Sequence, residues 1–379
     1  MLNRFTRRFT CCFAAACAAA LPFLPLSATA GNNAIVIGQA VDLSGPNGSV
    51  GRDYVAGIKT YFDMINSNGG INGRRISFIA RDDHGQPELS AKAASELIER
   101  DQVDYLMGGI GDDATKAVLD TPAFRRSGHI LFAPLAAAEY RGDQRVLFWR
   151  PSYKQEIRHL FDHFSKLGIR DVGIAYQDTP SNVEAYRSLT AEMQERGMKP
   201  VGSVRIAADD SRIAEEAARL ARSKPGFVLV IADTIGTALF LKEYRKHDGQ
   251  TFVAGSSLIN LSTLRELAGP RAVEWTVFSQ VVPNPGAGTS LLQIEHLNMM
   301  KKYRDEAVSS LTLEGFAAAK ALVRTIQQAR RNGRALQDFV AQNGNIDLGG
   351  LSVAASGRGN RLSNYVDIAL FRKGSALVF

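Results

Sequence analysis

Two adjacent acids, Asp112 and Asp113, follow a glycine-rich run in "YLMGGIGDDA". The spacing Gly109-x-Gly111-x-x-Ala114 between a predicted strand and a predicted helix resembles a dinucleotide fingerprint. The two acids would face the pyrophosphate, however, and no acid lies about 20 residues further on to bind the ribose. We therefore expect no nucleotide site. The acids either cap the following helix or contact a ligand, and the sequence leaves both roles open.

Other residue types that support catalysis or metal binding form no convincing set. His159 and His163 have the i, i+4 spacing of a metal clip, but their neighbours Arg158 and Asp162 indicate a solvated helix face. The G-x-S-x-G motif of serine hydrolases is absent from the sequence. We expect no catalytic residue, no metal site and no cofactor, so the chain is predicted not to be an enzyme.

The first 30 residues have the features of a signal peptide. Arg4, Arg7 and Arg8 precede an apolar run over residues 13–26, and "SATA" at 27–30 is a small-residue cleavage site. The run is too short and too interrupted by proline to span a bilayer comfortably. We expect cleavage after Ala30 and a periplasmic location. The paired arginines leave Sec and twin-arginine export both open.

Composition excludes several further classes. All three cysteines, Cys11, Cys12 and Cys17, lie in the predicted signal, so the mature chain is predicted to have no disulfide. The net charge of +7, less the three signal arginines, leaves +4, with basic residues scattered among acids. This pattern predicts no nucleic-acid partner. A length of 379 residues is typical of two or three domains.

Strand and helix patterns alternate along the first part of the mature chain. Apolar runs at 34–40, 75–80 and 105–110 are predicted strands, followed by a fourth in "ILFAPLA". Val55, Ile58, Phe62 and Ile65 form the apolar stripe of the first helix. A second helix follows Pro87, and a third is predicted over 114–126. Alternation with short connections predicts a doubly wound parallel sheet.

The same alternation repeats further along. Strands are predicted at 171–176, 200–206, 227–233 and 252–257, and helices at 183–196, 212–223 and 237–247. A long helix at 311–329 and a last strand in "YVDIALF" follow. Segments 148–156, 280–288 and 347–353 are predicted to connect the two units. The predicted fold is therefore α/β: two doubly wound lobes joined by three crossovers, with residues 31–150 and 282–347 in lobe 1 and 151–281 and 348–379 in lobe 2.

A cluster of turn-forming residues, "NSNGGINGRR", lies between the first helix and the second strand. Asn and Gly tolerate positive φ, so this segment predicts a sharp reversal that lays the second strand beside the first. We interpret the reversal as part of the scaffold.

The segment from "IGQAVDLSGPNG" through "NSNGGINGRRISFIARDD" resembles the type I periplasmic solute-binding proteins of the leucine/isoleucine/valine-binding class, which serve ABC importers. The resemblance extends over nearly all of the mature chain, and "YLMGGIGDDATKAVLDTPAF" and "LFAPLAAAEY" support it. It implies a Venus-flytrap fold that closes on a small molecule, with ligand-contacting loops at the carboxyl ends of the strands. The implied site residues are Ser44, Asn47, Gly111, Asp112, Asp113, Ala136, Ala137, Ser181, Asn182, Asp233, Ser256 and Ser257.

The sequence departs from that family where amino-acid ligands are usually held. Hydroxyl side chains that bind the ligand carboxylate are replaced at 111–113 and 136–138, and the acid that binds the ammonium is absent at Ser256. Asp233, on a neighbouring loop, either contacts the ligand or caps the helix that begins near Thr234. These departures predict a ligand other than an ordinary branched-chain amino acid: a neutral, hydroxylated, cationic or more apolar molecule.

The resemblance also implies partners. We expect a monomer that delivers its ligand to an inner-membrane ABC permease. A periplasmic sensing subunit read by a membrane receptor is the alternative, since both functions use the closed lobes.

Overall fold

The computed structural model describes residues 34–136, 145–207, 211–329, 334–355 and 360–379. The described residues form two large sheets with covering helices and one two-stranded hairpin, which confirms the predicted α/β class. Within these ranges, no helix has the length and apolar character needed to cross a membrane.

The first sheet is all parallel, in the order β2-β1-β3-β4-β5. Its strands and the helices between them are β1 (Ile35–Val41), α1 (Gly48–Ser67), β2 (Ile76–Asp82), α2 (Pro87–Glu99), β3 (Tyr105–Met107), α3 (Asp112–Asp120), α4 (Pro122–Ser127), β4 (Leu131–Phe132) and β5 (Val146–Leu147). Neighbouring side chains of β1 enter different apolar clusters: Val41 joins one and Ala40 the other. Helices and loops therefore cover both faces of the sheet.

The second sheet has the order β14-β13-β10-β9-β8-β6-β7. Its elements up to β10 are α5 (Tyr153–Lys166), β6 (Asp171–Gln177), α6 (Pro180–Glu195), β7 (Lys199–Ile206), α7 (Ile213–Arg222), β8 (Phe227–Ile231), α8 (Thr234–Tyr244), β9 (Phe252–Gly255), α9 (Leu261–Ala268) and β10 (Thr276–Gln280). Two strands from the end of the chain complete the sheet: β13 (Asp367–Phe371) and β14 (Leu377–Val378). Strands β13 and β14 are antiparallel to their neighbours, whereas the others pair in parallel. The two sheets are the cores of two lobes.

Between β10 and β13 the chain returns to the first lobe. The elements there are α10 (Leu291–Tyr303), α11 (Ser310–Gln328), α12 (Ala335–Ala341), β11 (Asn345–Asp347) and β12 (Ser352–Ala354). Side chains of α11, α12, β11 and β12 pack in the same apolar cluster as β1 and α1. The exact limits of the two lobes stay a prediction.

The predicted third connection lies elsewhere than expected. Residues 347–353 are part of the hairpin β11–β12, whose turn contains Gly349 and Gly350 with φ of 92° and 108°. The chain reaches the second sheet later, where Leu362 and Ser363 donate backbone hydrogen bonds to the first connection at Phe148 and Trp149. The Gly pair therefore marks a turn, and the first and third connections lie side by side.

One predicted helix is two helices. The segment 114–126 is divided at Thr121, which is extended with φ −65° and ψ 141° between α3 and α4. Pro122 explains the break, because a residue that precedes proline is disfavoured in the helical region. The Thr121 hydroxyl caps α4 by accepting a hydrogen bond from the Phe124 amide.

The Asn/Gly reversal has the predicted role. Gly69, Gly70, Asn72 and Gly73 all have positive φ, between 51° and 91°. Gly70 cannot carry a side chain there, because a Cβ atom would lie 2.1 Å from the Arg74 carbonyl oxygen. The segment thus turns α1 back to pair β2 with β1 in parallel.

A buried carboxylate fastens α5 to α6. The Glu192 side chain is 1% exposed and accepts hydrogen bonds from Arg158 Nε at 2.6 Å and Nη2 at 2.9 Å. Lys154 Nζ lies 2.8 Å from Oε1, the oxygen that also accepts from Arg158 Nη2. The Arg158 hydrogen bonds, reinforced by Lys154, lower the pKa of Glu192 to about 2.

We expect Glu192→Gln to reduce both stability and its dependence on acid pH. A carboxyl with a depressed folded pKa stabilises the fold above its ordinary pKa near 4.5 and loses that contribution as pH falls toward 2. Because the basic partners are partly exposed, we expect a loss of about 2 kcal/mol at pH 7. Urea unfolding at pH 7, 5 and 3 measures it. If the free energy of unfolding falls by the same amount in the variant and the parent between pH 5 and pH 3, the depressed pKa of Glu192 is wrong.

Candidate functional site

The carboxyl ends of the parallel strands place the predicted site residues. In the first lobe the loop after β1 contains Ser44, which is exposed, and Asn47, which is half-buried. The Ser44 hydroxyl lies 2.6 Å from His84 Nδ1, and the Asn47 amide donates to Asp42 Oδ2 at 2.8 Å. Both residues are therefore held at the carboxyl edge of the first sheet.

The loop after β1 is tied to the loop after β2 by three carboxylates. Asp42, Asp82 and Asp83 each have a ligand-type oxygen within 4.8 Å of the others. Their oxygens accept hydrogen bonds chiefly from backbone amides of the two loops, at 2.6 to 3.0 Å. Burial raises the pKa of Asp83, with a contribution from Asp42. Oxygen ligands of this kind suit a hard cation, but the hydrogen bonds give them a structural role in shaping the loops.

The loop after β3 contains the glycine and the two acids. Gly111, with φ 96°, occupies the N-cap position of α3, and its amide donates to the Leu135 carbonyl at 2.9 Å. Asp112 and Asp113 lie in the first turn of α3, one and two residues after the N-cap. The prediction that one of these acids is the N-cap residue is therefore wrong. Their charge is favourable there because the amino end of a helix carries partial positive charge.

The two glycines of the G-x-G spacing have structural roles. A Cβ atom at Gly109 would lie 2.4 Å from the Ala40 carbonyl oxygen of β1. Gly111 has no atom within 4 Å of an added Cβ, and its glycine is explained by the positive φ of 96°. The G-x-G-x-x-A spacing thus has a packing reason at Gly109 and a backbone reason at Gly111. Ala136, 1% exposed, belongs to the apolar cluster beneath the sheet. Ala137 lies outside the described residues.

In the second lobe, Ser181 and Asn182 lie in the first turn of α6. Thr179 caps this helix, with its hydroxyl accepting from the Asn182 amide at 3.3 Å. The Ser181 and Asn182 side chains are half-buried at the carboxyl edge of the second sheet.

Asp233 is a helix cap in the structure. Its Oδ1 accepts from the Gly236 amide at 2.7 Å, and its Oδ2 accepts from Gln177 Nε2 at 3.0 Å. Both carboxylate oxygens thus have a partner within the lobe. The sequence had left capping and ligand contact open, and this geometry favours capping.

We expect Asp233→Ala to destabilise the empty protein by about 1 kcal/mol, the usual cost of losing an N-cap. Thermal melting without ligand measures this. For any solute that binds, calorimetry on the same variant should give a Kd close to that of the parent. A tenfold or larger loss of affinity with an unchanged melting temperature would instead make Asp233 a ligand contact.

The loop after β9 carries Ser256 and Ser257. Ser256 is half-buried, whereas Ser257 is 6% exposed. The Ser257 amide donates to Glu156 Oε2 at 3.0 Å, and its hydroxyl accepts from Arg150 Nη1 at 2.9 Å. Ser257 is thus committed to a network of buried charges.

The sequence analysis did not predict this network of buried charges. Arg150, fully buried on the first connection, donates from Nε and Nη2 to the two oxygens of Glu314 on α11, at 3.1 and 2.6 Å. Burial alone lowers the pKa of Arg150, but the carboxylates of Glu314 and Glu156 outweigh it and raise that pKa, so the guanidinium stays charged. A lone acid within the apolar run "LTLEGFAAAK" was the available signal for a buried partner.

The two carboxyl edges meet at Asn260. Its Nδ2 donates to the Ser49 carbonyl and to Asp53 Oδ2 at the start of α1, each at 3.1 Å. The loop after β9 in one lobe therefore contacts the helix that follows β1 in the other. A fold of two α/β lobes whose strand ends face each other defines the class of two-lobed ligand-binding proteins.

The chain belongs to the periplasmic binding protein family, because the profile of that family matches residues 34–369. A Leu/Ile/Val-binding protein homolog 1 from Brucella melitensis is 21% identical over 315 residues, 79% of each chain. An amino acid binding protein from Pseudomonas aeruginosa is 32% identical over 81 residues, so the match spans only 22% of that relative. The crystal structure of a substrate-binding periplasmic protein from Ralstonia solanacearum has the same fold, with a TM-score of 0.84, 24% identity and coverage of 91% of this chain and 99% of that one.

Proposed function

We propose that the protein captures a small molecule between the carboxyl edges of its two lobes and delivers it to an inner-membrane ABC permease. The observation that carries this proposal is the contact of Asn260 with Ser49 and Asp53, which places the two strand-end edges against each other. Membership in the periplasmic binding protein family supports it. The protein works in the periplasm as a non-catalytic monomer after removal of residues 1–30.

The ligand is not an ordinary branched-chain amino acid. Asp112 and Asp113, in the first turn of α3, occupy positions where the family resemblance implies carboxylate-binding hydroxyls. A ligand carboxylate beside ionised acids would be repelled in a desolvated cleft. In the second lobe, the hydroxyl of Ser257 is already engaged by Arg150. These groups suit a neutral hydroxylated, cationic or more apolar solute.

We expect leucine, isoleucine and valine to bind with Kd values weaker than micromolar. The reason is the loss of carboxylate-binding hydroxyls and of the acid that would bind the ammonium. Isothermal titration calorimetry of the mature protein measures each affinity. A micromolar or tighter Kd for any of the three sinks this prediction while leaving the solute-binding function intact.

The experiment for the function itself is a thermal-shift screen of the mature protein against sugars, polyols, amines, aromatic acids and amino acids. A solute at 100 times its Kd adds about 2.7 kcal/mol to the stability of the folded state. Such a gain raises the melting temperature by several degrees. A saturable shift with one class identifies the ligand chemistry. A complete absence of shifts across classes at millimolar concentration would count against solute capture.

A further inference from the structure

We propose that the loop after β9, residues 256–260, is a latch whose contacts across the lobes set the population of the closed protein. This inference rests on the proposed function, because closure is how such a protein holds its ligand. In this proposal the protein's own contacts, chiefly those of Asn260, stabilise the closed arrangement even when no ligand is bound.

The latch is fastened firmly to the second lobe. The Asn260 amide donates to Thr234 Oγ1 at 3.0 Å, and its side-chain oxygen caps α9 by accepting from the Thr263 amide at 3.1 Å. At the other end of the loop, the Ser257 amide is held by Glu156 of α5 at 3.0 Å. The loop therefore moves with the second lobe as one body.

The same loop reaches the first lobe directly through Asn260 and Leu258, and indirectly through Ser257, which contacts Arg150 of the first connection. Asn260 Nδ2 donates to Asp53 Oδ2, which also accepts from Ser309 Oγ at the start of α11, at 2.8 Å. Leu258 packs against the apolar cluster formed by α1, α11 and the first sheet. Ser257 accepts from Arg150, whose other two donors hold Glu314 of α11.

The free energy that these contacts contribute is small enough for a reversible latch. Opening would expose Asn260 and Asp53 to water, which replaces the lost hydrogen bonds, so each bond contributes only modestly. Modest contributions of that kind match the small free-energy gap that separates open and closed states in ligand-responsive proteins. Removing one bond should lower the closed-to-open ratio about three- to tenfold.

Asn260→Asp tests the latch without removing the helix cap. The substituted carboxylate can still accept from the Thr263 amide, but it loses the amide donor and faces the Asp53 carboxylate. The double variant Asn260→Asp with Asp53→Asn reverses the pair and restores one donor opposite one acceptor. The parent, the two single variants and the double variant form a double-mutant cycle, which separates the effect of the cross-lobe contact from that of the helix cap.

Paired spin labels can report the lobe separation in the empty protein. The cysteines of the sequence lie at positions 11, 12 and 17, so the chain from residue 31 onward has no competing thiol. Glu88→Cys on α2 and Glu184→Cys on α6 place labels on exposed residues at the strand-end edge of each lobe. Electron–electron double resonance then gives the distance distribution without any ligand.

We expect Asn260→Asp to shift the distribution toward longer distances, because both donors to the first lobe are lost. The reversed pair should return part of it to the parental distances, since it restores the bond at position 53 but not the one to the Ser49 carbonyl. Ser257→Ala, which keeps the backbone bond to Glu156, should shift it in the same direction. Distributions identical to the parent for Asn260→Asp and Ser257→Ala overturn the proposal, as does a shift that Asp53→Asn fails to reverse. This readout needs no solute, so a failed ligand screen and a failed latch are distinguishable.

Discussion

Replacing Arg150 by methionine should lower the free energy of unfolding by about 3–5 kcal/mol. The change leaves the Glu314 carboxylate, 2% exposed, without the two hydrogen bonds that Arg150 now donates. It also leaves the Ser257 hydroxyl without its donor. A buried charge without a partner is among the most destabilising changes a single substitution can cause. Urea denaturation followed by circular dichroism measures the loss.

The matched control removes both charges. Arg150→Met combined with Glu314→Leu takes the isolated carboxylate away, so a large part of the lost stability should return. An Arg150→Met protein within about 1 kcal/mol of the parent would contradict the buried pair. A double variant no more stable than Arg150→Met would show that the loss arises from packing and not from the unpaired charge.

Gly57→Ala should be the second most damaging change, with a loss of about 1–3 kcal/mol. At this position of α1 a Cβ atom would lie 2.0 Å from the Thr312 carbonyl oxygen of α11. The approach is reciprocal, because a Cβ atom at Gly315 of α11 would lie 2.0 Å from the Tyr54 carbonyl oxygen. The two helices must therefore separate to admit a methyl group, and this cost exceeds the roughly 1 kcal/mol that alanine gains over glycine in a helix.

Gly236→Ala is the control for that prediction. Gly236 lies in the first turn of α8, where the nearest atom to an added Cβ, Asp233 Oδ1, is 3.4 Å away. This contact is close to ordinary van der Waals distance, so we expect a melting temperature equal to or above that of the parent. Thermal melting of both variants gives the comparison. Equal stabilities for Gly57→Ala and Gly236→Ala would contradict the close approach of α1 and α11.

The scaffold was predictable because its signals are local. The apolar stripe of α1, the Asn/Gly reversal and the alternation of strands and helices each depend on residues near one another in sequence. The division at Thr121 was also readable, since Pro122 carries the signal. Gly349 and Gly350 led to the wrong prediction that residues 347–353 connect the lobes, because a turn within a hairpin and a connection between lobes use the same residue types.

The interior of the candidate site was less predictable because it depends on residues far apart in the chain. Arg150 and Glu314 are separated by 164 positions, and Asp53 and Asn260 by 207. No local pattern relates such pairs. The role of Asp233 was ambiguous for another reason: a carboxylate at the end of a strand has the same sequence context whether it caps the next helix or meets a ligand.

The most direct test of solute capture is a titration of the label pair at Glu88→Cys and Glu184→Cys with a solute that raises the melting temperature in the screen. We expect the distribution of distances between the labels to narrow and to shift toward shorter distances, with saturation at one solute per chain. A solute that stabilises the protein stoichiometrically yet leaves the distances between the lobes unchanged would contradict binding between the two carboxyl edges.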